Sequence, residues 1–101
     1  LLRVASGDWN DPITAFAPSR RAFHRHGESG FNSAMAAYVL PRAAALLPAQ
    51  AASMRALADG LRDAMADAWA GEWFLRGFDG QGGALGRDRL FLDANAWCLI
   101  A

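Results

Sequence analysis

Residues 31–47 read FNSAMAAYVLPRAAALL, and this stretch decides the architecture. Phe31, Met35, Ala37, Tyr38, Val39, Leu40, Leu46 and Leu47 fall on nearly every side of a helical wheel, so the spacing predicts a helix buried on most of its faces. Ser29 or Asn32 is the predicted cap, because either side chain can accept an amide hydrogen bond of the first turn. Pro41 is expected to kink or split this helix, and Pro48 to end it. The following residues, 49–69, supply a packing partner. Met54, Leu57, Leu61, Met65, Ala68 and Trp69 recur at spacings of three and four, while Arg55, Asp59, Arg62, Asp63 and Asp67 lie largely on the other side. Arg55 and Asp59 are spaced to pair, Gly71 is expected to close the helix, and the short Pro48 junction predicts an antiparallel helical hairpin.

Working outward, residues 72–78 read as a short strand carrying Trp73, Phe74 and Phe78, and 79–83 (DGQGG) as a turn. A second extended piece is expected over 89–92, and a last helix from near Asp93. Upstream, Gly7, Asn10, Pro12, Pro18, Gly27 and Gly30 predict a long loop over 5–30. Three helices, one apolar all round, cannot bury themselves within 101 residues. The expected fold is therefore all-α with a short β-hairpin, completed by further helices. The apolar ends, Leu1-Leu2-Arg3-Val4 and Trp97-Cys98-Leu99-Ile100-Ala101, lead to the expectation of a single partial domain over 1–101, truncated at both ends.

Composition narrows the function classes. Ten basic and ten acidic side chains cancel, so no nucleic-acid partner is expected. No apolar run reaches the roughly 18 residues that cross a bilayer, so no membrane partner is expected. All ten basic residues are arginine and 23 residues are alanine, which points to coding bias more than to function. The lone Cys98 cannot form an internal disulfide and reads as a buried thiol; a cytoplasmic location is the expectation.

Chemistry concentrates in Gly7-Asp8-Trp9-Asn10-Asp11-Pro12. An indole face suits the C–H face of a pyranose, while carboxylates and amides take its hydroxyls. A carboxylic acid beside tryptophan can also stay protonated through desolvation and act as a general acid. The competing reading is an Asx-type turn at Asn10, Asp11 and Pro12 with Trp9 as its anchor.

Gly7-Asp8-Trp9-Asn10-Asp11 resembles the catalytic motif of glycoside hydrolase family 94, the inverting phosphorylases of cellobiose-like β-glucosides and the related domain of cyclic β-1,2-glucan synthases. Three further segments resemble the family in the same order: Gly27-Glu28-Ser29 before the apolar helix; Trp69 to Gly77, with Gly71-Glu72-Trp73-Phe74 and Arg76-Gly77; and Arg89-Leu90-Phe91-Leu92-Asp93-Ala94-Asn95-Ala96-Trp97. Pro12 stands where many relatives have glycine, and Ala94-Asn95-Ala96 replaces the usual Pro-Gln-Ser. The resemblance implies a six-hairpin (α/α)6 barrel with Asp11 as general acid. It implies that Trp9 lines the subsite of the sugar cleaved off, and it makes Asp8, Asn10 and Glu28 candidate sugar contacts. The co-substrate would be inorganic phosphate, with a β-linked oligosaccharide as partner, no cofactor, and a possible homodimer. Phosphate attacks as an anion and needs no base, whereas an inverting hydrolase needs a second carboxylate to activate water. The alternatives are a hydrolase or transglycosylase on the same barrel, with Asp8, Glu28 or Asp93 as base, and a non-catalytic helical interaction domain. The family's phosphate and acceptor residues mostly lie further along, so the isolated chain is expected to be inactive.

Other features read as structural. His24 and His26, spaced H-x-H, would present two metal ligands on a strand, but no third or fourth ligand stands at a persuasive spacing and no metal is expected. Arg20, Arg21 and Arg25 could hold an anion, but a solvated loop is the stronger reading. Glu28 is also a candidate for the helix start. Met35, Met54, Met65, Trp69, Trp73 and Trp97 read as packing residues.

Overall fold

The computed structural model describes residues 1–5 and 11–101, with Asp11 and Pro12 described in their backbone. Four α-helices dominate: α1 (Arg20–His26), α2 (Gly30–Leu46), α3 (Ala51–Ala66) and α4 (Leu92–Ile100). Two 3-10 helices accompany them, Asp11–Phe16 ahead of α1 and Pro48–Gln50 between α2 and α3. Four two-residue strands, β1 (Leu2–Arg3), β2 (Glu28–Ser29), β3 (Gly77–Phe78) and β4 (Ala84–Leu85), form an antiparallel sheet in the order β1-β2-β3-β4. The chain is thus mostly helical with a small sheet.

The helical hairpin is as expected. Leu47 and the 3-10 turn join α2 to α3, and small side chains let the two helices approach closely. Ala34, Ala37 and Ala58 are fully buried, and Ala34 and Ala37 form one core with Leu61 and Met65. Trp97 and Cys98 of α4 close this core, with Trp97 set edge-on to Phe31 and Tyr38. Ser29 is the cap of α2: its Oγ accepts from the Asn32 amide at 3.0 Å. A second core of Val4, Ile13, Phe23 and Leu85 joins β1, the first 3-10 helix, α1 and β4.

Several expectations are corrected. Residues 5–30 are no continuous loop, for they hold a 3-10 helix, α1 and β2. Ser19 caps α1 by accepting from the Ala22 amide at 3.2 Å, and Phe23 anchors the helix as its buried residue. The extended segment over 72–78 narrows to Gly77–Phe78, and its partner is Ala84–Leu85, not 89–92. Asp79 explains that register: its Oδ1 accepts from the amides of Gln81 at 2.7 Å and Gly83 at 2.8 Å, and this tightens the turn directly before Ala84. α3 ends at Ala66, before Trp69, and Gly71 (φ +100) sits in the turn that follows. Asp59 pairs with Arg62 at 3.0 Å, not with Arg55. α2 is buried along its α3 and α4 faces but leaves Val39 52% and Leu46 81% exposed.

Pro41 neither splits α2 nor leaves a helical carbonyl without a donor. Proline has no N–H, so the carbonyl of Ala37 loses its usual partner one turn ahead. The Arg62 guanidinium fills the gap, donating from Nη2 to the Ala37 oxygen at 3.0 Å and from Nε to the Ala101 oxygen at 2.9 Å. One α3 side chain thereby ties the proline turn of α2 to the end of α4. Arg62→Met is expected to lower stability by about 1.5–3 kcal/mol, the range for hydrogen bonds with a charged partner. Pro41→Ala restores the missing amide, so the same Arg62 substitution should be about 1 kcal/mol milder in that background. A urea-denaturation double-mutant cycle checks this, and strict additivity would reject the assigned role.

Candidate functional site

The sheet and the α2 cap bring together segments that are remote in sequence. β2 pairs with β3 so that Glu28 faces Phe78 and Ser29 faces Gly77. Alternate strand residues point to opposite sides, and here Ser29 is fully buried while the Glu28 side chain is 38% exposed. Ser29, not Glu28, therefore does the capping, which leaves the Glu28 carboxylate at the surface, 3.9 Å from the Leu1 nitrogen.

Arg76 is the hub. Its side chain is 1% exposed, with Nη1 donating to Ser29 Oγ at 3.1 Å and Nε 3.7 Å from Asp93 Oδ2. Its guanidinium carbon lies 5.3 Å from the centre of the Phe31 ring. The backbone joins in: the Gly30 amide donates to the Arg76 carbonyl and the Arg76 amide to the Leu85 carbonyl, each at 2.9 Å. Three of the four family-like segments, at Glu28-Ser29, Arg76-Gly77 and Asp93, thus converge on one buried guanidinium. Sequence reasoning quoted Arg76 as part of a motif but gave it no role. The signal was an arginine in a run of large apolar residues.

Asn95, where the family-like segment departs from its usual residues, has a structural task. Its Oδ1 accepts from the Phe74 amide at 2.8 Å, and its Nδ2 donates to the carbonyls of Phe74 at 3.1 Å and Phe91 at 3.0 Å. This clamps the 69–74 turn onto the start of α4. Within that turn Trp69 stacks edge-on against Phe74 with centroids 4.9 Å apart and stays half exposed, while Trp73 Nε1 donates to the Gly86 carbonyl at 2.8 Å.

The first segment is approached from both sides. Val4 and Ile13 share a core with Phe23. Asp11 opens the 3-10 helix, and Pro12 follows in a first turn that needs no amide from it. Asp8, Trp9 and Asn10, and the side chain of Asp11, lie outside the described residues. Glu28 is the expected sugar contact that the structure places.

α1 carries Arg20, Arg21, His24, Arg25 and His26 and no acid. His24 and His26 are on a helix, not a strand, and His24 Nδ1 lies 3.1 Å from the Ala5 carbonyl oxygen. Among the described residues, no three His, Cys, Asp or Glu side chains gather into a metal-binding group. An open cleft of about 220 Å³ is lined by Ser19, Arg21, Ala22, Arg25 and His26. A second, of about 170 Å³, lies between Phe16, Phe91 and residues 84–89. Beside it the Arg89 guanidinium, 2.6 Å away, holds the Asp88 carboxyl below its ordinary range. Burial pushes the Cys98 thiol up to about 11, partly opposed by the charge of Arg76. That makes Cys98 a poor nucleophile and suits its contact with Met65 Sδ at 3.9 Å. Among the described residues, no helix is long and apolar enough to cross a membrane.

Comparison with known proteins gives this arrangement a context. A family model described as the glycosyl hydrolase 94 superfamily, catalytic domain, matches residues 1–101. The chain is similar to a 3-O-beta-D-glucopyranosyl-beta-D-glucuronide phosphorylase of Paenibacillus borealis, 30% identical over 115 residues. That match takes in 100% of this chain and 14% of the relative, so the chain spans about a seventh of the relative's length.

Proposed function

Because this chain belongs to the glycosyl hydrolase 94 superfamily through its catalytic domain, we propose that it forms part of an inverting carbohydrate phosphorylase built on an (α/α)6 barrel. Such an enzyme cleaves a β-glucoside with inorganic phosphate and releases a sugar 1-phosphate. The carrying observation is the family match over the whole chain. The 30% identity to a phosphorylase supports it, as does the convergence of three family-like segments on Arg76. Val39, Leu46, Leu99 and Ile100, all more than half exposed, mark faces that further helices of such a barrel would cover.

In this reading Asp11 donates a proton to the glycosidic oxygen as the bond breaks. Trp9 packs on the sugar that is cleaved off, while Asp8, Asn10 and Glu28 hold its hydroxyls. Phosphate attacks the anomeric carbon from the opposite face, inverts it, and needs no general base. No cofactor takes part. The isolated 101-residue chain has no turnover, because the phosphate contacts and most acceptor contacts come from outside it. The intact enzyme is cytoplasmic, with a homodimer as its expected assembly.

The test is phosphate dependence. The intact enzyme, given a β-linked glucose disaccharide such as a glucosyl glucuronide or cellobiose, is expected to release glucose 1-phosphate only when phosphate is present. Cleavage at full rate in phosphate-free buffer would show a hydrolase instead. Such an enzyme would need a second carboxylate, from Asp8, Glu28 or Asp93.

A further inference from the structure

We propose that Arg76 is a positioning residue for saccharide binding: from inside the core it fixes the strand that presents the Glu28 carboxylate. The inference rests on the proposed function in one respect, the assignment of Glu28 as a sugar contact, and it gives the buried guanidinium a task.

Burial of this charge calls for a reason beyond stability. The Arg76 side chain is 1% exposed and is the largest fully buried side chain among the described residues. Taking a guanidinium out of water is costly, and an apolar side chain of similar volume often serves a fold as well or better. What an apolar side chain cannot supply is direction. A guanidinium is a planar fork of donors that holds several acceptors in fixed relation. Here Nη1 donates to Ser29 Oγ at 3.1 Å, Nε lies 3.7 Å from Asp93 Oδ2, and the guanidinium carbon lies 5.3 Å from the centre of the Phe31 ring. One side chain thereby sets β2 against the start of α4 and the first turn of α2.

The grip falls on the two residues directly after Glu28. Arg76 holds Ser29 through its side chain and Gly30 through its backbone, for the Gly30 amide donates to the Arg76 carbonyl at 2.9 Å. A side chain at Gly30 would crowd the carbonyl oxygens of Leu75 and Arg76, so the approach is close. Ser29 is tied on its other side as well. Its carbonyl accepts from Ser33 Oγ at 2.6 Å, and Ser33 Oγ accepts from the Leu2 amide at 2.8 Å. Polar contacts therefore run without a break from β1 through Ser33 and Ser29 to Arg76, and from there to Asp93.

Successive strand residues face opposite sides. With Ser29 held inward, Glu28 is turned outward, and its side chain is 38% exposed. Its carboxylate is thus aimed from behind, by a residue buried beneath it. Aim matters at a sugar site, because a displacement of about 1 Å in a positioning group can cost about a hundredfold in rate. Asp93 is the second leg of the support. Its Oδ1 accepts from the Ala94 amide at 2.8 Å, which leaves Oδ2 for Arg76.

The experiment compares Arg76→Met, Glu28→Ala and the double variant in the intact enzyme. It reads kcat and KM for a β-linked glucose disaccharide, and calorimetric affinity for the same sugar. Arg76→Met keeps the reach of the side chain and removes its donors. It is expected to raise KM about tenfold, the scale of one hydrogen bond with a charged partner, with kcat within about threefold of normal. In the Glu28→Ala background the same change should move KM by less than about twofold, because the group it aims is gone. An Arg76 that served stability alone would give KM effects that multiply, and that result overturns the proposal. Asp93→Asn alters a partly exposed side chain, so it reports even if Arg76→Met does not fold. It should raise KM about threefold, again only when Glu28 is present, and an unchanged KM overturns the proposal. Arg62→Met is the stability control: it should lower Tm and leave KM as it was, and a KM rise equal to that of Arg76→Met overturns the proposal. Calorimetry needs neither phosphate nor turnover, so coupling between Arg76 and Glu28 supports the proposal even if cleavage proves hydrolytic. Unchanged affinity in Glu28→Ala overturns it while leaving phosphorolysis standing.

Discussion

Asp11→Asn in the intact enzyme is expected to lower kcat on a natural disaccharide by about 10²–10⁴-fold, the usual contribution of a positioned general acid. The amide fills the same space and keeps hydrogen-bonding capacity, but it cannot deliver a proton to the departing oxygen. A sugar alkoxide is a poor leaving group, so the loss falls on bond cleavage and not on binding. A dinitrophenyl β-glucoside provides the internal control. Its phenolate leaves without protonation, so the same variant should retain most of its activity on it. The ratio of the two losses identifies the role: equal losses on both substrates would mean that Asp11 binds sugar or supports the loop. More than a tenth of the normal rate on the disaccharide would move the acid elsewhere. In a phosphorylase this one carboxylate suffices, and no Asp8, Glu28 or Asp93 variant should match its effect. A hydrolase would show a second residue of comparable weight.

How far the sequence could be read depended on how local each cause was. α3 was legible because its apolar face repeats at helical spacing over four turns, and a repeating signal survives errors at the ends. Its C-terminus was not, because Ala68 and Trp69 continue the pattern while the chain turns away to form the Trp69–Phe74 bridge. α1 was missed because a seven-residue helix with a single buried residue, Phe23, has no period to detect. β1 and β2 were missed for a related reason. Each is defined by partners 25 to 50 positions away, as in Arg3 with Glu28 and Glu28 with Phe78, and carries no alternation of its own.

The same contrast separates the parts of the candidate site. Ser29 as a cap was readable, since its acceptor works on an amide three residues on. Arg62 was not: its partners at Ala37 and Ala101 are 25 and 39 residues distant, and nothing near Pro41 reveals who replaces the missing amide. Arg76 was visible as part of a motif, yet its burial and its link to Ser29, 47 residues away, emerge only from packing. The charge on α1 was visible as composition and was discounted, because three arginines on a loop are ordinary.

Gly77→Ala carries the largest expected effect on stability, about 3 kcal/mol, the upper part of the range for overpacking. Gly77 lies opposite Ser29, and a β-carbon there would overlap the carbonyl oxygen of Glu28 and touch the Ser29 Cα at 3.4 Å. Both obstacles are backbone, so no rotamer change relieves them, and β2 must move away from β3. That displacement pulls the Ser29 hydroxyl from the Asn32 amide and from Arg76 Nη1, which it meets at 3.0 and 3.1 Å. It also carries Glu28 with it. The control is Gly60→Ala in the middle of α3, where the added carbon meets nothing within 4 Å. Alanine is the better helix former, so that variant should gain about 0.5–1 kcal/mol. Urea denaturation of the two variants should therefore give shifts of opposite sign. In the intact enzyme the Gly77 variant should also raise KM for the saccharide, because Glu28 no longer sits on its strand, whereas Gly60→Ala should not. If Gly77→Ala unfolds within about 0.5 kcal/mol of the unaltered protein, the size of a neutral surface change, the close contact between β2 and β3 is not what fixes Glu28.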